Sequence, residues 1–232
     1  MKLTHQQEAC PGMLDIAQGI SNGEASAADA AYEILKERIV TAVARPGSII
    51  SDARLASELS MGRTPIREAL QRLARERLIT IAPRRGSFVS ELQVFELQQI
   101  FEVRVELEGL CARLAAERAV RKDIDALREI IAREDAAHQE GDSSATIPLD
   151  RQLHDIIIDA AHNEYLGTCL TPLRNISTRA WYLIFSRYGH IAETRLEHRA
   201  IVEAIVAKNP DTADAAMREH VLNFRDKLSL LN

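Results

Sequence analysis

Asp150 and His154 stand four residues apart in a stretch of helical periodicity, so both project from one face about one turn from each other. His198 and His220 fall inside two later helical stretches, and bundle packing can bring three helices around one point. Three imidazole nitrogens and a carboxylate oxygen suit a borderline divalent ion, zinc first, with nickel or manganese as alternatives. Taken singly, each histidine is better read as a hydrogen-bonded structural residue, so the set stands or falls on convergence. A second chemistry lies upstream. Arg63 and Arg67 share one helical face with Thr64 and Gln71, Arg54 lies on a preceding helix, and Arg84-Arg85-Gly86 forms a basic turn between β-prone runs. A helix lying in a DNA major groove reads base edges with its exposed N-terminal side chains while neighbouring arginines neutralise phosphates, and a flexible basic tip suits the minor groove or the flanking backbone. The competing reading, a charged face that only solvates a helix, is the commoner fate of such residues, but here they coincide with a three-part motif.

The elements that would hold these residues follow from periodicity. Apolar positions Ala31, Ile34, Leu35, Ile39 and Val43 predict a helix over 27–43, stopped by Arg45-Pro46-Gly47. Ile49 and Ile50 form a short extended piece, after which Asp52 is placed to cap a helix carrying Leu55, Ala56 and Leu59. Ser60-Met61-Gly62 makes a turn, and a helix over 63–77 turns Ile66, Leu70, Leu73 and Ala74 inward; Pro65 is tolerated in its first turn, where no intrahelical partner awaits its missing amide. Leu78 to Ile81 and Ser87 to Val89 read as a small hairpin. Helix, helix–turn–helix and hairpin in that order spell a winged helix–turn–helix. Beyond Ser90 come long helical segments near 92–119, 123–140, 144–162, 164–187, 192–208 and 211–230, with Asp123 and Asp211 as caps and a loop at Gly141-Asp142-Ser143-Ser144. The expected fold is mainly α: an N-terminal winged helix–turn–helix over 25–90 and an all-helical antiparallel bundle over 91–232, preceded by a flexible tail over 1–24.

Composition agrees with two units of opposite charge. The chain has 232 residues and a net charge of −5, too acidic for a protein that coats nucleic acid over its whole surface. Residues 31–90 nevertheless hold 11 Lys/Arg against 6 acids, whereas 91–232 hold 17 against 24. Three cysteines at distant positions, without a CxxC pair, fit neither a disulfide framework nor a zinc knuckle and suggest a reducing cytoplasm. No apolar run reaches the roughly 18 residues of a membrane span, and the N-terminus lacks the basic flank and apolar core of a signal peptide. The expectation is a cytoplasmic protein without a membrane partner.

The run Arg63-Thr64-Pro65-Ile66-Arg67-Glu68-Ala69-Leu70, followed by Leu73, the Leu78-Ile79 strand and the Arg-Arg-Gly-Ser-Phe-Val wing, resembles the N-terminal domain of GntR-family bacterial transcription regulators. The helical remainder is similar to the FCD effector domain of their FadR subfamily. The resemblance implies a homodimer on a short palindromic double-stranded operator, with Arg54, Arg63 and Arg67 at DNA-contact positions and Gly86 at the wing tip. It also places the family's metal ligands at Asp150, His154, His198 and His220, in the runs DRQLH, LEH and REH, and the family's Arg-x-x-x-Glu pair at Arg104 and Glu108, facing an effector cavity. One departure stands in the turn: the family usually has Gly then Ser before the Arg-Thr-Pro run, whereas Ser60 and Gly62 have the opposite order, which moves a hydroxyl that could reach phosphate.

An ion with these ligands keeps one or two positions open for a small anion, and Arg104 is the cation to grip a carboxylate in bidentate fashion. The bland alternative for Arg104 is an intrahelical ion pair with Glu108. Asn175, Arg179 and Tyr182 are expected on a helix that closes the pocket; Leu97, Ile100, Phe101, Val105, Leu107 and Leu110 read as core or dimer stripe, and Trp181 as a packing residue. The reading reached is a regulator, a repressor, whose operator binding answers to a small carboxylate held beside a divalent metal. Two alternatives stay open: a regulator for which the metal itself is the signal, and a metal-dependent hydrolase. The hydrolase lacks a general base, because Glu197 and Glu219, each adjacent in sequence to a histidine of the set, point about a quarter turn away.

Overall fold

A computed structural model describes residues 26–188 and 194–229; the expected N-terminal tail lies outside the described residues. The chain divides into two compact units between Glu91 and Leu92.

In the first unit, helix α1 (Ala27–Val40) starts on Ser26, whose hydroxyl accepts the Asp29 N–H, and ends earlier than periodicity suggests, at a Thr41 cap that bonds back to Glu37 and Ile39. Strand β1 (Ile49–Ile50) leads to α2 (Asp52–Glu58), then α3 (Arg63–Arg75), β2 (Ile79–Ala82) and β3 (Gly86–Val89). Ser51 rather than Asp52 caps α2, its hydroxyl accepting the Arg54 N–H, which leaves the Asp52 carboxylate free for another partner. Gly62 caps α3 by backbone conformation alone. Buried Leu35 and Ile39 of α1 pack with Ile66, Leu70 and Leu73 of α3, and Leu78, Ile79 and Val89 complete this small core. The hairpin pairs Ile79 with Val89 and Ala82 with Gly86 in antiparallel register, and β1 adds to its outer edge, giving the order β1-β3-β2. Arg84 (φ 62°) and Gly86 (φ 103°) take left-handed conformations at the tip, where glycine carries no Cβ penalty.

The second unit is a helical bundle of α4 (Val94–Arg118), α5 (Arg121–Glu140), a 3-10 turn at Ser143–Ala145, α6 (Thr146–Ala160), α7 (Glu164–Tyr188), α8 (Arg195–Val206) and α9 (Pro210–Ser229). Helix α4 is its spine and packs against α6, α7, α8 and, most extensively, α9. That last contact is close enough that a Cβ on Gly109 would meet Asp214 Oδ1 at 2.4 Å and Arg218 Cγ at 2.9 Å. Two expected caps move by a few residues. Asp123 sits three residues inside α5, where its carboxylate accepts the Val120 N–H, and Asn209 rather than Asp211 serves α9, accepting the Thr212 N–H. The core runs through Phe101, Leu127, Ile130, Leu153, Ile157, Leu170 and Ile201, so α6 and α8 are each anchored on the turns beside their histidines. None of the described helices is long and apolar enough to cross a membrane.

Candidate functional site

Helix α6 turns one face inward, and its polar members on that face are Asp150 and His154. Helix α8 contributes His198 and α9 His220, and the structure brings all four together, buried, with one ligand atom from each within 4.8 Å of the others. His198 Nε2 lies 3.2 Å from Asp150 Oδ1, and His154 Nε2 lies 3.1 Å from His220 Nε2.

The opposite ring nitrogens explain why those four atoms face each other. His154 Nδ1 is 2.5 Å from Glu108 Oε2 on α4, His198 Nδ1 is 2.7 Å from Glu134 Oε1 on α5, and His220 Nδ1 is 2.8 Å from Glu197 Oε2 on α8. A carboxylate only accepts, so each Nδ1 carries a proton, and a ring that is neutral turns its Nε2 lone pair to the centre. Two lone pairs at the separation of His154 and His220 repel unless a proton or a cation lies between them, and His198 Nε2 is buried facing the Asp150 carboxylate. Imidazoles oriented by carboxylates on their far nitrogens, with lone pairs converging, are the arrangement a metal ion requires.

Electrostatics without an ion show the same tension. Burial disfavours the His198 cation, but hydrogen bonds to Asp150 and Glu134 outweigh it and pull the imidazole up to about 9. His220 goes the other way, down to about 4, because burial dominates and His198 and His154 add to it against Glu197. Burial would raise the Asp150 carboxyl, yet the three imidazoles hold it well below the usual carboxylate range.

Arg104 on α4 is also buried, and it makes the intrahelical ion pair with Glu108 while lining the cavity beside the histidines. Its Nε donates to Glu108 Oε1 at 2.6 Å and its Nη1 to Ser177 Oγ at 2.8 Å, while Glu108 continues the chain to His154. Beside Arg104, Asp150, His154 and His220 lies a cavity of about 10 Å³, enough for one water molecule. Its α7 wall is Arg174, Ser177, Thr178 and Trp181. Asn175, Arg179 and Tyr182 are not brought to this cavity, since each is a helical step of about 100° from a lining residue. Asn175 and Arg179 are buried elsewhere, with burial pushing the Arg179 guanidinium down to about 10 against the pull of Glu96. Trp181 packs at 4.9 Å on the Phe224 ring, and its indole N–H, buried in the cavity wall, has no hydrogen-bond partner.

In the first unit Arg63, Thr64, Arg67 and Gln71 form an exposed face of α3, Arg54 is exposed on α2, and Arg84, Arg85 and Gly86 are exposed at the hairpin tip. The far end of α3 is fixed to α1: the Tyr32 hydroxyl bonds the Glu76 carboxylate at 2.8 Å, and the Arg72 guanidinium stacks 3.7 Å over the Tyr32 ring.

Sequence reasoning missed three groups of this architecture. Glu134 gave no signal beyond being a carboxylate on the buried face of a helix. Glu197 points away from His198, as its sequence position implies, but it reaches His220 on the next helix instead. Ser177, Thr178 and Trp181 were one helical phase from the residues expected to line the pocket, a phase that α7 periodicity does not fix.

Residues 27–89 match the family of bacterial regulatory proteins, gntR family, and residues 99–223 match the FCD domain. The chain is 29% identical over 193 residues to the HTH-type transcriptional regulator YdhC of Bacillus subtilis, covering 82% of this chain and 84% of that protein. It is 31% identical over 189 residues to the Nta operon transcriptional regulator of Aminobacter aminovorans, covering 79% and 86% respectively. Among solved structures, E. coli McbR/YncC superposes with a TM-score of 0.79 over 89% of this chain and 98% of that one; at 22% identity the agreement is one of fold.

Proposed function

Because the chain belongs to the gntR family of bacterial regulatory proteins and carries an FCD domain, it is a DNA-binding transcription regulator, and we propose that its operator binding is governed by a small carboxylate held beside a divalent ion in that domain. The observation that carries the proposal is the inward convergence of three imidazole Nε2 atoms and one Asp150 oxygen, with every Nδ1 held by a carboxylate. Charge supports it. With its three imidazoles neutral, as ligation requires, the cluster contains the carboxylates of Asp150, Glu108, Glu134 and Glu197, and the cations in contact with it are Arg104 on Glu108 and Lys227 on Glu197, a deficit of two charges that one divalent ion makes good. Asp150, His154, His198 and His220 are its ligands, and zinc is the ion their nitrogen-rich set suits best, ahead of nickel and manganese. When bound, the ion supplies a Lewis-acidic position for a ligand oxygen. Arg104 and the unpartnered Trp181 N–H lie on the same cavity and supply charge and a hydrogen bond to a carboxylate. A cavity of about 10 Å³ holds no metabolite, so binding requires the α7 wall to move, and that differential is what lets a ligand favour one arrangement of the protein over another.

At the output end, Arg63, Thr64 and Arg67 enter the major groove, Arg54 meets phosphate, and Arg84 and Arg85 on the Gly86 turn reach the flanking backbone or minor groove. The chain acts as a homodimer on a palindromic operator and represses until the carboxylate binds. On α4, Phe95, Val103 and Leu110 are exposed apolar residues at helical spacing, which supports a dimer stripe there. The relatives are transcription regulators, so the hydrolase alternative falls away. A metal sensor remains the second reading, favoured by the smallness of the cavity.

The test uses an operator obtained by binding-site selection. DNA affinity of the full chain is measured with metal held constant against a panel of small mono-, di- and tricarboxylates, and then against free metal without them. A carboxylate that shifts affinity, with no dependence on free metal once one ion is loaded, supports the proposal; affinity that tracks free metal and ignores carboxylates transfers it to the metal sensor. Loss of operator binding in Arg63→Ala with Arg67→Ala checks the output end, where each base-reading arginine is worth roughly 1–3 kcal/mol.

A further inference from the structure

Five arginines stand on the DNA-binding face, and one of them is not free. Among the described residues Arg54, Arg63, Arg84 and Arg85 have no side-chain partner. Arg67 is different: its Nε donates to Asp52 Oδ2 at 3.0 Å, although the Arg67 side chain remains 63% exposed. The carboxylate is itself fixed. Asp52 opens α2 directly after the Ser51 cap, and buried Leu55 one turn later pins that helix to α3.

The position of the bond on the guanidinium matters more than its strength, which at such exposure is small. With Nε engaged, the two terminal nitrogens remain, and their parallel N–H bonds match O6 and N7 of a guanine in the major groove. An arginine already held loses less rotamer freedom on docking than a free one. A carboxylate beside it also makes the neighbourhood unfavourable for phosphate, which disfavours the use of Arg67 as a backbone clamp.

We infer that Asp52 is a positioning residue that makes Arg67 a guanine reader, so that it sets sequence preference at one base pair of each half-site rather than overall affinity. The inference rests on the reading of α3 as the recognition helix.

The experiment compares the full-length protein with Asp52→Asn, Asp52→Glu and Arg67→Ala, using fluorescence anisotropy on the selected operator, on its complete set of single base-pair variants and on an unrelated duplex, with melting temperatures alongside. The native protein is expected to lose roughly 5- to 150-fold in affinity when the guanine of one half-site is replaced. Arg67→Ala flattens that position. Asp52→Asn flattens the same position and no other, while its binding to the unrelated duplex stays the same or tightens, because a negative charge has been removed; Asp52→Glu restores part of the preference. If Asp52→Asn keeps the full preference at the position that Arg67→Ala flattens, the inference is overturned and the recognition-helix reading stands. If Arg67→Ala leaves every position unchanged, both fail. Uniform weakening by Asp52→Asn at all positions with a lowered melting temperature would show a merely structural Asp52 and also overturn it.

Discussion

Replacing Glu134 by Gln tests whether the buried histidines are metal ligands or a hydrogen-bonded core. The carboxylate accepts the His198 Nδ1 proton at 2.7 Å and touches nothing at the centre of the cluster, so the change leaves all four candidate ligands in place. It removes the charge that orients the ring and makes Nε2 basic. Loss of such an outer partner costs about 10- to 100-fold in metal affinity, or about 1.4–2.7 kcal/mol. The same carboxylate helps to hold a proton on His198, whose imidazole is pulled up to about 9 without metal, and this proton competes with the ion. Weaker proton competition in the variant therefore masks part of the loss at pH 6.5, and less of it at pH 8.5. The assay is competition for zinc with a chromophoric chelator at both pH values, with circular dichroism to confirm the fold. The expected result is a loss within that span that grows with pH. An unchanged zinc affinity at pH 8.5 in a folded Glu134→Gln protein would refute the assignment of Glu134 and, with it, the reasoning from ring orientation.

The metal-free protein should lose stability as pH rises from 7 through about 9. The His198 imidazole is raised in the folded state, so its contribution is fully present below the unfolded value near 6.5 and disappears above about 9, an effect on the order of 3 kcal/mol that thermal melts with and without chelator would resolve; the loaded protein should not show it. On the acid side His220 acts oppositely: its imidazole, lowered to about 4, makes the chelated protein lose stability below about pH 6.5. At the hairpin tip, Arg84→Ala with Arg85→Ala should weaken binding to all sequences alike and reduce the slope of log affinity against log salt by roughly 1 to 2, read from gel-shift titrations; an unchanged slope would take the tip off the phosphates.

Much of this architecture was legible because its signals are local. The i, i+4 pairing of Asp150 with His154, the exposed Arg63–Arg67 face and the turn residues around Gly86 each depend on the spacing within one element, which helical or strand geometry fixes. What failed to show depends on pairs of elements. Glu134 meets His198 only because α5 packs against α8, and Glu197 serves a histidine on α9 rather than the one beside it. Asp52 read as a cap because Asp and Ser are interchangeable there by propensity; Ser51 took that role, and Asp52 became the partner of Arg67 across to α3. The wall of the cavity was displaced by one residue along α7, a helix whose several buried polar side chains leave its inward phase undetermined by hydropathy.

The most direct test of the account is the metal content of the full chain, purified without chelator or affinity metal and measured by inductively coupled plasma mass spectrometry beside His198→Ala and His220→Ala. The account requires close to one tightly held divalent ion per chain in the native protein and its loss from both variants. A native protein that is folded, binds its operator and carries no ion even after dialysis against zinc would contradict it.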